Sequence, residues 1–284
     1  MNSTSIAFPL TTAQMGLWLT QQLQPHAHLN IAEALEIECA VDSELFLEAF
    51  RQTVRETGAL RVRFANSSDG PSQLIGETYN GLVTVLDFSD RDGGRDAAWD
   101  WVRERASAVT VLRDPLCVAA LLKAAPNYFI FYHSVPHILA DGYSGMLFAE
   151  RLSEIYTALV EGRELSQDNA LVPYESVIEA EVSYRQSNRF ERDKQYWMER
   201  LEGVPKLTTS LPFQLEQPLT PGVGGRLRQH VFLEPHTCAA LRFFAKAEGV
   251  TLPQLFVGLV AMFLHRMTNQ DDFVVGFPVT GRVS

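Results

Sequence analysis

Residues Asn127 to Val135 read Asn-Tyr-Phe-Ile-Phe-Tyr-His-Ser-Val, a nearly unbroken run of aromatic and β-branched side chains. A strand of this composition is stable only when both of its faces are covered. This run and Leu116–Leu122 are therefore expected as central strands of a mixed sheet, with helices on its faces. Pro136 closes the run, because it holds Val135 extended and supplies no backbone donor. A six-residue turn follows and feeds into a helix at Gly142. From Tyr143 to Val160 the apolar period becomes helical, with Phe148, Leu152, Ile155, Tyr156 and Leu159 on one stripe.

The rest of the chain supplies partners for that strand in mixed order, so the expected class is α+β and not a strict βαβ alternation. Helices are expected at Pro9–Leu23, from a cap at Asp42-Ser43 to Gly58, and from Asp96 to Ala108. Strands are expected at Ile31–Ile37, Leu60–Phe64, Gln73–Ile75, Leu82–Phe88 and Leu116–Leu122. Pro173 opens a long charged helix through Tyr184 to Leu201. Pro205 to Gly225 is rich in Pro, Gly, Ser and Thr and reads as a linker. A strand (Leu227–Leu233), two helices (Thr237–Glu248 and Leu252–Met267) and a strand (Phe273–Phe277) follow. The domain expectation is a first lobe over 1–172, a crossover over 173–225 and the start of a second lobe over 226–284.

Composition removes several classes of function. With 24 Lys plus Arg against 34 Asp plus Glu, the net charge is -10. No basic cluster offers a surface for nucleic acid, which needs grouped cations for its phosphates. Three widely spaced cysteines, Cys39, Cys117 and Cys238, argue against a disulfide framework or a Cys-x-x-Cys metal site. No basic and apolar leader opens the sequence, and no run approaches the ~20 apolar residues of a membrane helix. A cytoplasmic protein without a membrane partner is expected.

Among the seven histidines, His137 stands apart. It projects from the end of a rigid strand beside a helix N-terminus, where outward N–H groups favour developing negative charge. One short loop could thus hold a general base and an oxyanion donor. Asp141 either faces His137 and stabilises its imidazolium or turns to an arginine and sets the loop. The plainer alternative makes His137 a satisfied loop histidine and Asp141 a helix cap. Other motifs fail in context. Gly142-Tyr143-Ser144-Gly145-Met146 lacks the last glycine of a nucleophile elbow. Pro221 to Gly225 precedes a strand pattern instead of a helix. His26-x-His28 has no further ligands nearby.

The segment His137 to Gly142 resembles the His-x-x-x-Asp-Gly signature of the condensation domains of nonribosomal peptide synthetases, which share it with chloramphenicol acetyltransferase-like enzymes. Further stretches are similar to the same family in the same order. They are Leu10 to Trp18 (an Ala-Gln…Trp motif), Ala59-Leu60-Arg61-Val62-Arg63-Phe64, Pro173 to Trp197, and Val275 to Arg282. The resemblance implies a chloramphenicol acetyltransferase-like lobe with an incomplete second lobe of the same type. His137 then matches the catalytic histidine, Gly142 the glycine whose N–H supports the oxyanion, Asp141 the structural aspartate, and Arg61 its arginine partner.

The implied reaction forms an amide between a donor acyl or aminoacyl thioester and the amine of an acceptor aminoacyl thioester. Both substrates ride on the 4'-phosphopantetheine arms of upstream and downstream peptidyl or aryl carrier proteins, with adenylation and carrier domains on the same longer polypeptide. No cofactor or metal is expected to bind directly. A catalytically degenerate docking domain and a stand-alone CoA-dependent acyltransferase are the alternatives. Two departures accompany the match: Pro136 stands where the family usually has a first histidine, and Glu56-Thr57-Gly58 where it usually has Arg-His-Glu. The length is that of one lobe and part of another, with the later family motifs absent, so a fragment or a truncation is expected.

Overall fold

The computed structural model describes residues 7–25, 27–68, 70–108, 112, 115–166, 171–203 and 231–277. Their contacts form two compact units, Met1–Phe190 and Glu191–Ser284.

In the first unit the elements run β1 (Ala7–Pro9), α1 (Thr12–Leu23), β2 (Asn30–Ile37), α2 (Ser43–Glu56), a 3-10 turn (Gly58–Arg61), β3 (Val62–Ser67), β4 (Gly70–Ile75), β5 (Gly81–Asp87), α3 (Gly94–Ala106), β6 (Cys117–Ala125), β7 (Tyr128–Pro136), α4 (Gly142–Glu161) and α5 (Tyr174–Arg185). A main sheet has the order β2-β7-β6-β5, and a smaller one the order β1-β4-β3. β7 pairs antiparallel with β2 and with β6, while β5 and β6 are parallel and joined through α3.

The aromatic run is the centre of the molecule: all nine residues of β7 are buried. Its period of two divides the core. Phe129, Phe131 and Val135 meet Phe46, Phe50 and Val54 of α2 and Phe148, Leu152 and Ile155 of α4. Tyr128, Ile130 and Tyr132 meet Ala98 and Val102 of α3 on the opposite face. The expected mixed sheet with helices on its faces is the observed architecture.

Local chemistry moves several boundaries. Pro9 lies in β1, and α1 begins after Thr11, whose hydroxyl accepts from the Gln14 N–H while Gln14 accepts from the Thr11 N–H. This is a capping box. Asp42 caps α2 as expected, accepting from the N–H groups of Glu44 and Leu45. The long helix expected from Pro173 to Leu201 is two helices, α5 and α6 (Asn188–Arg200). Ser187 interrupts it: its hydroxyl donates to the Tyr184 carbonyl and accepts from the Phe190 N–H. Such side-chain bonds compete with the helix ladder.

The second unit contains α7 (Pro235–Ala247) and α8 (Leu252–Thr268), matching the two expected helices. Phe273–Phe277 is irregular and not the expected strand, as are Val231–Leu233. Neither has a partner strand among the described residues of this unit, and an isolated strand lacks the ladder that sustains it. His26, the expected linker at Pro205–Gly225, the first part of the strand expected at Leu227–Leu233, and Pro278 to Arg282 lie outside the described residues.

Candidate active site

The end of β7 is held from several sides. Asn30 of β2 pairs with Pro136, and the next N–H, that of His137, donates to the Leu29 carbonyl at 2.6 Å. The Leu139 N–H turns back onto the Pro136 carbonyl at 2.9 Å. Pro136, Ile138 and Leu139 are buried, whereas the His137 side chain is exposed. A histidine with buried neighbours and a bonded backbone stands on a rigid pedestal. His137 borders a shallow depression lined also by Leu17, Gln21, Leu29, Leu112 and Ile138. Pro136 lines it as well, at the position of the family's usual first histidine.

Five residues after His137 helix α4 begins. Asp141 is its N-cap: the carboxylate accepts from the Ser144 N–H at 2.8 Å and from the Ser144 hydroxyl at 2.6 Å. The Ser144 hydroxyl in turn accepts from the Asp141 N–H at 3.2 Å. A carboxylate at a helix N-terminus also meets the positive end of the helix dipole. Gly142 is exposed, and its N–H is left unpaired among the described residues. Its Cβ position is open space. One turn further, Gly145 lies under the carboxylate of Glu33 from β2, which a Cβ there would meet at 2.2 Å. Burial raises the Glu33 carboxyl above its ordinary value.

The structure brings His137, Asp141 and Gly142 onto one loop and helix head. Arg61 is placed differently from its implied pairing. Its guanidinium donates to the carbonyls of Gly76 and Arg55, and its Nε is buried with no hydrogen-bond partner. No Arg61–Asp141 ion pair occurs among the described residues, because the carboxylate is engaged by the cap and the guanidinium by backbone carbonyls.

The departures from the family pattern have physical counterparts. Glu56 takes a bidentate ion pair from Arg151 of α4, at 2.7 and 2.8 Å. Gly58 lies against α5, where an added Cβ would come within 2.7 Å of the Tyr174 Cβ. Gly58→Ala should therefore force a backbone shift and destabilise by about 1–3 kcal/mol, read as a lower urea midpoint at unchanged slope.

A second histidine near the site is a core residue. His133 of β7 packs against Phe148, Phe131 and Phe50 at ring distances of 5.0, 6.0 and 6.2 Å, and its Nε2 lies 3.4 Å from the Tyr79 hydroxyl. Burial pushes its pKa down to about 4, from 6.5. Between those values the unfolded chain binds a proton that the folded one refuses, so stability rises with pH. Full stability holds above pH 6.5, and roughly 3 kcal/mol is lost as pH falls towards 4. Denaturant titrations from pH 4 to 8 should show this slope, and His133→Phe should remove most of it.

Sequence reasoning missed one residue. Gln14 lies in a quoted motif, yet its amide reaches across to the carbonyl of Ile138, next to His137, at 3.2 Å. The Thr-x-x-Gln capping spacing was the available signal, but a capping box concerns the start of α1 alone and says nothing of a distant carbonyl.

A mixed sheet whose central strand ends in a histidine loop, delivered to the head of a helix, defines the chloramphenicol acetyltransferase-like fold. Within it the chain belongs to the condensation domain family, whose model matches residues 5–284. The chain is 31% identical over 280 residues to a dimodular nonribosomal peptide synthase of Bacillus subtilis, covering 98% of this chain and 12% of that protein. It is 32% identical over 283 residues to an isonitrile lipopeptide synthase of Streptomyces coeruleorubidus, covering 97% and 18%. Among solved structures, a variant starter condensation domain of rhizomide synthetase in complex with C8-CoA superposes with a TM-score of 0.82 at 31% identity, over 98% of this chain and 62% of that one. The first condensation domain of the calcium-dependent antibiotic synthetase gives 0.81 at 31% identity, over 100% and 66%. The chain thus spans less than a fifth of these two curated relatives and about two thirds of the solved domains.

Proposed function

We propose that this chain provides the amide-forming site of a nonribosomal peptide synthetase, acting in the cytoplasm on a donor acyl or aminoacyl thioester and an acceptor aminoacyl thioester. Both substrates arrive on the phosphopantetheine arms of carrier proteins, with adenylation and carrier domains as neighbours. The observation that carries this reading is the exposed His137 ring on a backbone-fixed loop, followed by the unpaired Gly142 N–H at the head of α4. The acceptor nitrogen attacks the donor carbonyl, forming a C–N bond and a tetrahedral oxyanion. His137 takes the proton released by the attacking nitrogen or orients that nitrogen, and the Gly142 N–H offers a hydrogen bond to the oxyanion. The C–S bond then breaks, and the donor thiolate regains a proton.

Asp141 supports the loop through the α4 cap. We read 1–172 as the first lobe, 173–225 as the crossover, and 226–284 as the opening of the second lobe. Exposed aromatic side chains on α7 and α8, such as Phe243 at 77% and Phe263 at 53%, are surfaces that a fuller lobe would cover.

The test is peptide formation by the full-length protein with loaded donor and acceptor carriers. Dipeptide on the acceptor carrier is the expected product; carrier binding without product would favour the docking alternative. A second reading has the donor delivered as a CoA thioester, supported by the C8-CoA complex of the rhizomide starter domain. Saturable turnover of acyl-CoA without a donor carrier would select it.

A further inference from the structure

We infer that Gln14 is a positioning residue for His137, acting through the Ile138 carbonyl; this rests on the catalytic reading of His137. Gln14 and Gln73 are 4% and 0% exposed, so every polar atom they carry needs a partner inside the protein. They bind each other reciprocally: Gln14 Nε2 donates to Gln73 Oε1 at 3.0 Å, and Gln73 Nε2 donates to Gln14 Oε1 at 2.8 Å. Backbone groups dictate the orientation of both amides. The Thr11 N–H can only donate, so the Gln14 atom 2.9 Å away is oxygen. The Pro9 and Ile138 carbonyls can only accept, so the atoms facing them, Gln73 Nε2 at 2.9 Å and Gln14 Nε2 at 3.2 Å, are nitrogen. Neither amide can flip without setting like groups against each other.

The pair joins separate parts of the lobe: β1 at Pro9, the head of α1 at Thr11, β4 at Gln73, and the His137 loop at Ile138. Burial pushes the pKa of the Tyr174 hydroxyl on α5 up to about 12, keeping it protonated. Before the His137 side chain its own N–H is tied to Leu29, and after it the carbonyl of the following residue, Ile138, is tied to Gln14. Among the described residues, Gln14 supplies the only side-chain hydrogen bond to the backbone between Pro136 and Ala140. Releasing it frees the carbonyl end of the Ile138–Leu139 peptide, whose N–H stays tied to Pro136, and so loosens the loop beside His137; small misplacements of a catalytic group are costly in rate.

The experiment measures kcat, KM and thermal stability of the full-length protein with loaded carriers. The variants are Gln14→Met, Gln73→Met, His137→Ala and the double variant Gln14→Met/His137→Ala. Gln14→Met is expected to lower kcat about 10- to 100-fold with KM changed less than about twofold, and to leave the residual rate of His137→Ala unchanged. Gln73→Met removes the amide partner but not the bond to Ile138, so it should cost comparable stability and less kcat. If Gln14→Met fails to fold, Gln14→Glu keeps the accepting oxygen, removes the donor to Ile138, and carries the same expectation. Normal kcat in the Gln14 variant beside an inactive His137→Ala overturns this inference alone. Equal kcat losses in the Gln14 and Gln73 variants, tracking their stability, also overturn it. Full rate in His137→Ala overturns the catalytic reading and this inference with it.

Discussion

His137→Ala is expected to lower the rate of amide formation by about 10²–10⁴-fold while leaving the fold intact. The range follows from the role: a positioned base assists proton movement in the transition state, and the remaining alignment of the two substrates survives its loss. The fold should tolerate the change because the His137 side chain is exposed and its anchoring bond to Leu29 is made by the backbone. Alanine keeps that N–H, and the buried neighbours Ile138 and Leu139 keep the loop seated in the core. The measurement is single-turnover transfer between loaded carriers, with circular dichroism and melting temperature as controls. A melting temperature close to that of the unmodified protein with a rate loss inside this range is the expected pair of results. Undiminished turnover would remove His137 from the chemistry.

The largest stability effect is expected at Arg151. This arginine on α4 is 2% exposed, yet every side of its guanidinium is engaged. Nε and Nη2 form a fork on Glu56 at 2.7 and 2.8 Å, while Nη1 donates to Glu154 at 2.9 Å and to the Ser166 carbonyl at 3.2 Å. Arg151→Ala leaves two carboxylates facing each other without their cation, and opens a void between α2 and α4. Removing one member of a buried ion pair costs about 3–5 kcal/mol. The carboxylates keep partial contact with water, at 25% and 23% side-chain exposure, so the lower end is expected. Arg151→Lys should recover only part, because an ammonium cannot make the fork. Urea unfolding of the three proteins tests this; equal stabilities for arginine and alanine would show that the cluster contributes nothing net.

The same cluster shows why sequence reading reaches some features and not others. The substitution of Glu-Thr-Gly for the usual Arg-His-Glu was legible as a departure, but its meaning was not. Only the fold places Glu56 opposite an arginine 95 positions away, and Gly58 beneath Tyr174. The break between α5 and α6 was hidden for another reason. A serine within a charged helical pattern is ordinary, and whether its hydroxyl turns onto the backbone depends on the local geometry.

What the sequence determined by itself is what short-range physics encodes. The aromatic run of β7, the switch to a helical stripe after it, the cap at Asp42, and the His137–Gly142 loop all depend on neighbours within a few positions. The tertiary structure decided the contacts that join distant segments. It gave the Asp141 carboxylate to Ser144 instead of Arg61, turned His133 into a neutral core residue, and brought Gln14 across to the carbonyl beside His137. Polar groups pair at short range and with fixed directions. Which of several carboxylates, carbonyls and amides meet is therefore settled only when packing brings them to within about 3 Å of one another.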